Sequence, residues 1–195
     1  IIDFEGDPVP RITYKVGDIL FRKSILLVPD QDQVLIKYEL LEAPAKVTLQ
    51  LRPFLAFRNI HALTRQNPDA RTNYETVAGG VSFRMYPNFP DLNLQVSDSK
   101  ASFVSSPYWY NGITYSDEYR RGFDCREDLL SPGWFEGRMK EGDVLVVSAA
   151  KYEEKPGSFT RAYNSALGKI KPITDGRGQL LHWAGIFICN HNDRK

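Results

Sequence analysis

Two cysteines and three histidines among 195 residues leave the sequence poor in side chains that ligate metals or staple small folds. Cys125 and Cys189 stand far apart without CxxC spacing, so neither a zinc site nor a disulfide framework is read from them. His191 and Asp193 are too little for a metal site on spacing alone. Charge of one sign is also lacking: 25 Lys and Arg face 24 Asp and Glu, without long blocks of like charge, which excludes the basic footprint of a nucleic-acid binder. No apolar run approaches the roughly 18–20 residues of a membrane span, and no basic-then-apolar leader opens the chain. The "GRGQLL" near residue 176 lacks the third glycine and the βαβ context of a dinucleotide fingerprint, and no P-loop, HExxH or GxSxG occurs. No cofactor and no metal are expected.

What is present is ordinary globular composition, 42% hydrophobic and 25% charged, sufficient for a substantial core. Residues 12–57 read as short strands, "RITYKV", "ILLV", "VLIKYEL" and "KVTLQLRPFLAF", with antiparallel connections at "PDQDQ" and "LEAPA". Val34, Ile36, Tyr38 and Leu40 alternate, as do Val47, Leu49 and Leu51, which sets one face of each strand on a core. Hairpins are expected at Gly79-Gly80 and, with "SDSK" as its tip, within "LNLQVSDSKASFVSS", with further strands in "YWYNGITYSDEY" and "GDVLVVSAA". Eight or more short strands at spacings of roughly 8–12 residues predict a mainly β fold, a large antiparallel β-sandwich. "SFTRAYNSALGKI", with Ser158 as N-cap, and "GQLLHWAGIFIC" read as helices, giving a β-sandwich over residues 1–154 and a helical tail or linker over 155–195. The start at Ile1 and the stop at "HNDRK" fit a domain excised from a longer protein.

The densest chemistry lies in "YSDEYRRGFDCREDLLSPG", residues 115–133. Its carboxylates, Asp117, Glu118, Asp124, Glu127 and Asp128, suffice in number for a glycosidase pair, for instance Glu118 with Asp124 or Asp128. Arg120, Arg121 and Arg126 would hold them ionised, the wrong direction for a general acid. The competing reading is structural: Arg–carboxylate bonds fasten an irregular loop, a short turn forms at "CREDLL", and Pro132-Gly133 make a turn. In "YWY", Trp109 can serve as a sugar platform or pack in a core or interface, and alternation puts Tyr108 and Tyr110 on the other face. Arg58, His61 and Arg65 add a basic cluster in which His61 is either an acid/base group or a hydrogen-bonded structural residue.

Four segments, "VTLQLRPFLAFRNIHALTRQN", "NYETVAGGVSFRMYPN", "PYWYNGITYSDEYRRGFDCREDLLSPGWFEGRM" and "GDVLVVSAA", resemble in order and spacing the amino-terminal domain of bacterial and archaeal glycogen debranching enzymes of the amylo-α-1,6-glucosidase type. The resemblance covers roughly residues 8–150, weakens from 155, and leaves the family's usual segment before residue 1 unmatched. It implies a supersandwich-like domain preceding an (α/α)6 barrel that carries the general acid and base and hydrolyses α-1,6 branch-point glucose. It implies as partners that barrel, in the same parent chain, and glycogen or another branched α-glucan, with no nucleic acid and no membrane. A cytoplasmic location follows from the family's glycogen role. The 195 residues themselves are then expected to be inactive, having no series of helices to form the barrel. Arg58, His61, Arg65, Trp109, Arg121, Asp124, Glu127 and Asp128 fall in the matched segments and become candidates for glycan or interface contact, none of them catalytic. An independent α-glucan-binding module is the alternative.

Overall fold

The computed structural model describes residues 1–59, 62–97 and 101–170. They form eleven antiparallel strands with two short helices and a 3-10 turn. The strands are β1 (Asp3–Glu5), β2 (Arg11–Val16), β3 (Ile19–Leu27), β4 (Gln33–Glu42), β5 (Val47–Leu51), β6 (Tyr74–Val77), β7 (Gly80–Phe83), β8 (Leu92–Val96), β9 (Ser102–Thr114), β10 (Arg126–Met139) and β11 (Val144–Ala150). Helix α1 (Ser116–Arg120) separates β9 from β10, and α2 (Phe159–Lys169) follows β11.

An eight-stranded sheet of order β1-β2-β3-β4-β11-β8-β7-β6 packs on a three-stranded sheet of order β5-β10-β9. Leu40, Val81, Phe83, Leu94, Val96 and Leu145 of the larger sheet meet Leu130, Phe135 and Met139 of the smaller, with Leu55 and Met85 from loops closing the core. The architecture is the expected mainly β, sandwich-like one. The last strand of each sheet to appear in sequence, β10 in the smaller and β11 in the larger, is a central strand with a neighbour on either side.

Helix α2 occupies the far face of the larger sheet. Phe159, Tyr163 and Ala166 recur at helical spacing and bury against Leu26, Leu35 and Val146. Removing Phe159 from water contributes about 2 kcal/mol. Coverage on both faces explains why β11 reads as a near-continuous apolar run instead of alternating. Ser158 stands at the N-cap, but its hydroxyl donates to the Lys155 carbonyl at 2.8 Å and makes no capping bond. The expected helix at 178–189 lies outside the described residues.

Four local readings are corrected. The "LEAPA" break does not join a hairpin: β4 already pairs with β3 and β11, so the chain crosses to the other sheet and β5 pairs with β10. The same holds after β8, both of whose edges are taken by β11 and β7, so β9 starts in the smaller sheet; three residues of the expected tip, 98–100, lie outside the described set. "CREDLL" is no short turn, because β10 begins at Arg126 and Glu127 pairs with Ile113. Pro132 and Gly133 lie inside β10, opposite a register shift in β9 that spares the proline a ladder donor. Gly133 is required there: an added Cβ would stand 2.0 Å from the Val104 carbonyl oxygen.

Candidate functional site

The carboxylates of Glu127 and Asp128 sit side by side on β10 and fasten two loops. The Glu127 side chain is fully buried. Its Oε1 accepts the Thr64 backbone N–H at 3.0 Å and a bond from Arg58 Nε; its Oε2 accepts Arg58 Nη2 at 3.1 Å and the Tyr115 hydroxyl at 2.5 Å. One carboxylate thus ties the loop between β5 and β6 to the segment leading into α1.

Asp128 repeats the device at the next position. Its Oδ2 accepts the Gln66 N–H at 3.0 Å and its Oδ1 the Gly112 N–H at 2.8 Å, while its own backbone N–H donates to the Thr64 carbonyl at 2.8 Å. Gly112, at φ +70°, lies at a register shift between β9 and β10, and the left-handed backbone turns its N–H toward the aspartate. Asn111 Nδ2 adds a bond to Gln66 Oε1 at 2.8 Å. Asn67 then braces the loop internally, donating to the Arg65 carbonyl and to the Tyr86 hydroxyl, both at 2.8 Å.

The electrostatics follow from these contacts. Burial pushes the Glu127 carboxyl up, but the bonds from Arg58, Tyr115 and Thr64, together with the Arg58 charge, outweigh it and leave its pKa below the ordinary glutamate value. Asp128 is lowered chiefly by the Gln66 and Gly112 amides. The Tyr115 hydroxyl is raised by donating to Glu127, and the Arg58 guanidinium is raised by its bond to the same group. Both carboxylates are held ionised with their lone pairs engaged, a state suited to fixing backbone and unsuited to protonating a glycosidic oxygen.

The other sequence candidates scatter around this clip. Arg65 is exposed on the fastened loop and lends its charge to Asp128. Arg121, exposed at the end of α1, pairs with Glu118 at 3.3 Å, and Asp124 is exposed on the following loop. His61 lies outside the described residues. Trp109 is half-buried, opposite Leu130 and packed on the core between the sheets. Its neighbours occupy the solvent face, where Tyr108 and Tyr110 pack edge to face at 5.3 Å and Tyr110 meets Phe54 at 4.8 Å. Glu118 and Asp124 therefore do not join Asp128, which is spent on backbone N–H groups.

Tyr115, Thr64, Gln66 and Gly112 are site members that pattern reading did not single out. The Asn111-Gly112 pair is a turn or bulge signal in a strand, whereas backbone donors such as Thr64 and Gln66 carry no signal in side-chain chemistry. Among the described residues no group of three or more His, Cys, Asp or Glu is placed to hold a metal, and no helix is long and apolar enough to cross a membrane.

Compared with known proteins, residues 1–146 match the family model described as glycogen debranching enzyme N terminal. No curated protein and no solved structure matches.

Proposed function

The chain belongs to the glycogen debranching enzyme N-terminal family, and from that premise we propose that it is a non-catalytic part of an amylo-α-1,6-glucosidase-type enzyme. In this reading it braces an (α/α)6 catalytic barrel and shapes the border of the glucan cleft. The observation that carries the reading is the Glu127–Asp128 clip. Two consecutive carboxylates are consumed in holding the loop between β5 and β6 and the segment around α1, and these present Arg65, Arg121, Tyr119 and Phe123 outward. Tyr119 is 69% and Phe123 64% exposed, large apolar side chains on a rigidly seated loop, as a docking surface needs.

The test is made in the full debranching enzyme with Tyr119→Ser/Phe123→Ser and, separately, Arg65→Ala/Arg121→Ala. The reading expects lower thermal stability for the first and a raised KM for limit dextrin in the second. Unchanged kcat, KM and melting temperature in both would overturn it.

A second reading, an independent α-glucan-binding module, is favoured by one observation. Phe54, Tyr108 and Tyr110 cluster on the outer face of the three-stranded sheet, with Tyr108 64% exposed. Aromatic faces of this kind stack on sugar rings. Retardation of the chain in a glycogen-containing gel, lost in Tyr108→Ala and kept in a control at an unrelated surface tyrosine, would support it; equal mobility with and without glycogen would dismiss it.

A further inference from the structure

The sequence has a single Asn-Gly step, Asn111-Gly112, and it falls at the register shift where β9 passes Asp128 of the clip. Asparagine is a heat-labile residue, and a following glycine presents no side chain to hinder attack by its backbone nitrogen. In that reaction the Gly112 nitrogen bonds to Cγ of Asn111, the Cγ–Nδ2 bond breaks, the backbone amide proton passes to a base, and Nδ2 takes up a proton and leaves as ammonia. Water then opens the resulting cyclic imide at one carbonyl or the other. The balance is asparagine plus water to aspartate or isoaspartate plus ammonia, with no change of oxidation state.

Both reacting groups are held by the clip. The Gly112 N–H donates to Asp128 Oδ1 at 2.8 Å, and Asn111 Nδ2 donates to Gln66 Oε1 at 2.8 Å. Gln66 is in turn fixed by its own N–H, which donates to Asp128 Oδ2 at 3.0 Å. The Asn111 amide also lies near enough to Asp128 to help hold that carboxyl below its ordinary range. The Gly112 nitrogen must shed its proton to attack, and this would place a second negative charge against the aspartate. Asp128, kept ionised by the Gln66 and Gly112 amides, is itself a weak base for that proton. Asn111 and Gly112 are exposed among the described residues, so water is at hand and the missing element is freedom of the two groups to meet.

We propose that Asn111 is a deamidation site which the closed clip keeps silent, and that its conversion holds the clip open at Asp128. The product carries a carboxylate beside Asp128, where like charges repel, and it has no Nδ2–H to offer Gln66. Isoaspartate further lengthens the main chain of β9 at its register shift. An opening that ends in conversion is therefore not undone by reclosure. The hold on Gln66 weakens, while Glu127 keeps Thr64, Tyr115 and Arg58. The proposal stands on the geometry of the clip and is independent of any role beside a catalytic barrel.

The 195-residue chain, incubated at mildly alkaline pH and digested, is followed by mass spectrometry of the peptide that holds Asn111, with isoaspartate resolved by chromatography. Deamidation in the folded chain should be slower than in the urea-unfolded chain by about tenfold or more, by the same factor that protects the Gly112 amide from hydrogen exchange. Asp128→Ala should raise the folded-state rate toward the unfolded one while the amides of β11 stay protected. In the wild type, urea below the unfolding transition should raise deamidation and Gly112 exchange in proportion, which reads the same coupling even where the variant does not fold. Asn111→Asp should speed exchange of the Gln66 amide and leave β11 protected. Equal rates in the folded and unfolded chains, a folded Asp128→Ala no faster than wild type, or deamidation that does not follow Gly112 exchange would each overturn the guarding role. Unchanged Gln66 exchange in Asn111→Asp would overturn the claim that conversion holds the clip open.

Discussion

Replacing Glu127 with Gln removes the charge of the clip and keeps its shape. The amide oxygen still accepts from Thr64 or Tyr115, but Arg58 loses a bidentate ionic partner in a pocket where the glutamate side chain has no exposure. Removing one member of a buried pair costs roughly 3–5 kcal/mol. Arg58 keeps 21% side-chain exposure and can turn to water, which reduces the expected loss to about 2–3 kcal/mol. For a chain of this length that lowers the melting temperature by about 4–12 °C. The pH dependence supplies the sign. The folded-state pKa of Glu127 is depressed, so its contribution is fully present above the unfolded value of about 4.3 and is lost as pH falls through the folded value. Urea unfolding of the wild type and the variant, followed by tryptophan fluorescence, should therefore give curves far apart at pH 7 that approach one another toward pH 3. Faster exchange of the Thr64 amide and of residues 116–125 should accompany the loss. A deficit below about 0.5 kcal/mol at pH 7, or one of equal size at pH 3, would refute the reasoning.

Other positions give independent checks. An added Cβ at Gly80 would stand 2.0 Å from the Leu94 carbonyl oxygen, so Gly80→Ala should force β7 and β8 apart and cost several degrees of melting temperature; an unchanged melting curve would contradict the packing of that ladder. Among the described residues the Tyr163 hydroxyl is buried and makes no well-formed hydrogen bond, with the equally unsatisfied Ser24 hydroxyl beside it, so Tyr163→Phe should leave stability unchanged or raise it by up to about 1 kcal/mol, and a loss of that size would show that the Ser24 contact stabilises the fold. Burial, aided by Tyr14, pushes Tyr38 up to about 12. The unfolded chain then releases this proton first, near pH 10, so stability should fall as pH rises above about 10, and Tyr38→Phe should remove part of that slope in ultraviolet-monitored titrations.

The β character was legible because half-buried strands alternate: Val47 to Leu51 behave as their pattern says, whereas along Val34 to Leu40 only Tyr38 and Leu40 join the core between the sheets and Leu35, on the opposite face, is buried under α2. Sheet membership was not, since a short break such as "LEAPA" reads the same whether the chain turns back or crosses to the other layer. The decision rests on which edges are already filled, a non-local fact. "CREDLL" misled because its charges resemble a helix start, while a strand tolerates them once Arg58 and the Thr64, Gln66 and Gly112 amides answer each carboxylate. Trp109 and its tyrosines followed alternation, which separated them onto opposite faces; that Trp109 is the one turned to the core, and not a sugar platform, was not available from spacing. The short strand β1 and the tight β2–β3 turn at Gly17 escaped notice, the first because three residues carry no period.

The placement of β10 and β11 at the centres of their sheets bears on how the chain is made. When a ribosome has delivered residues 1–125, β1–β4 form one ribbon and β6–β8 another, with β5 and β9 lacking any partner. Nothing joins the ribbons until β11 emerges and slots between β4 and β8. The nascent polypeptide thus holds several open edges until residues 126–150 are delivered and then closes both layers nearly at once, a highly cooperative event. A protein stopped before residue 144 would keep most of its strands and none of the seam that unites the larger sheet.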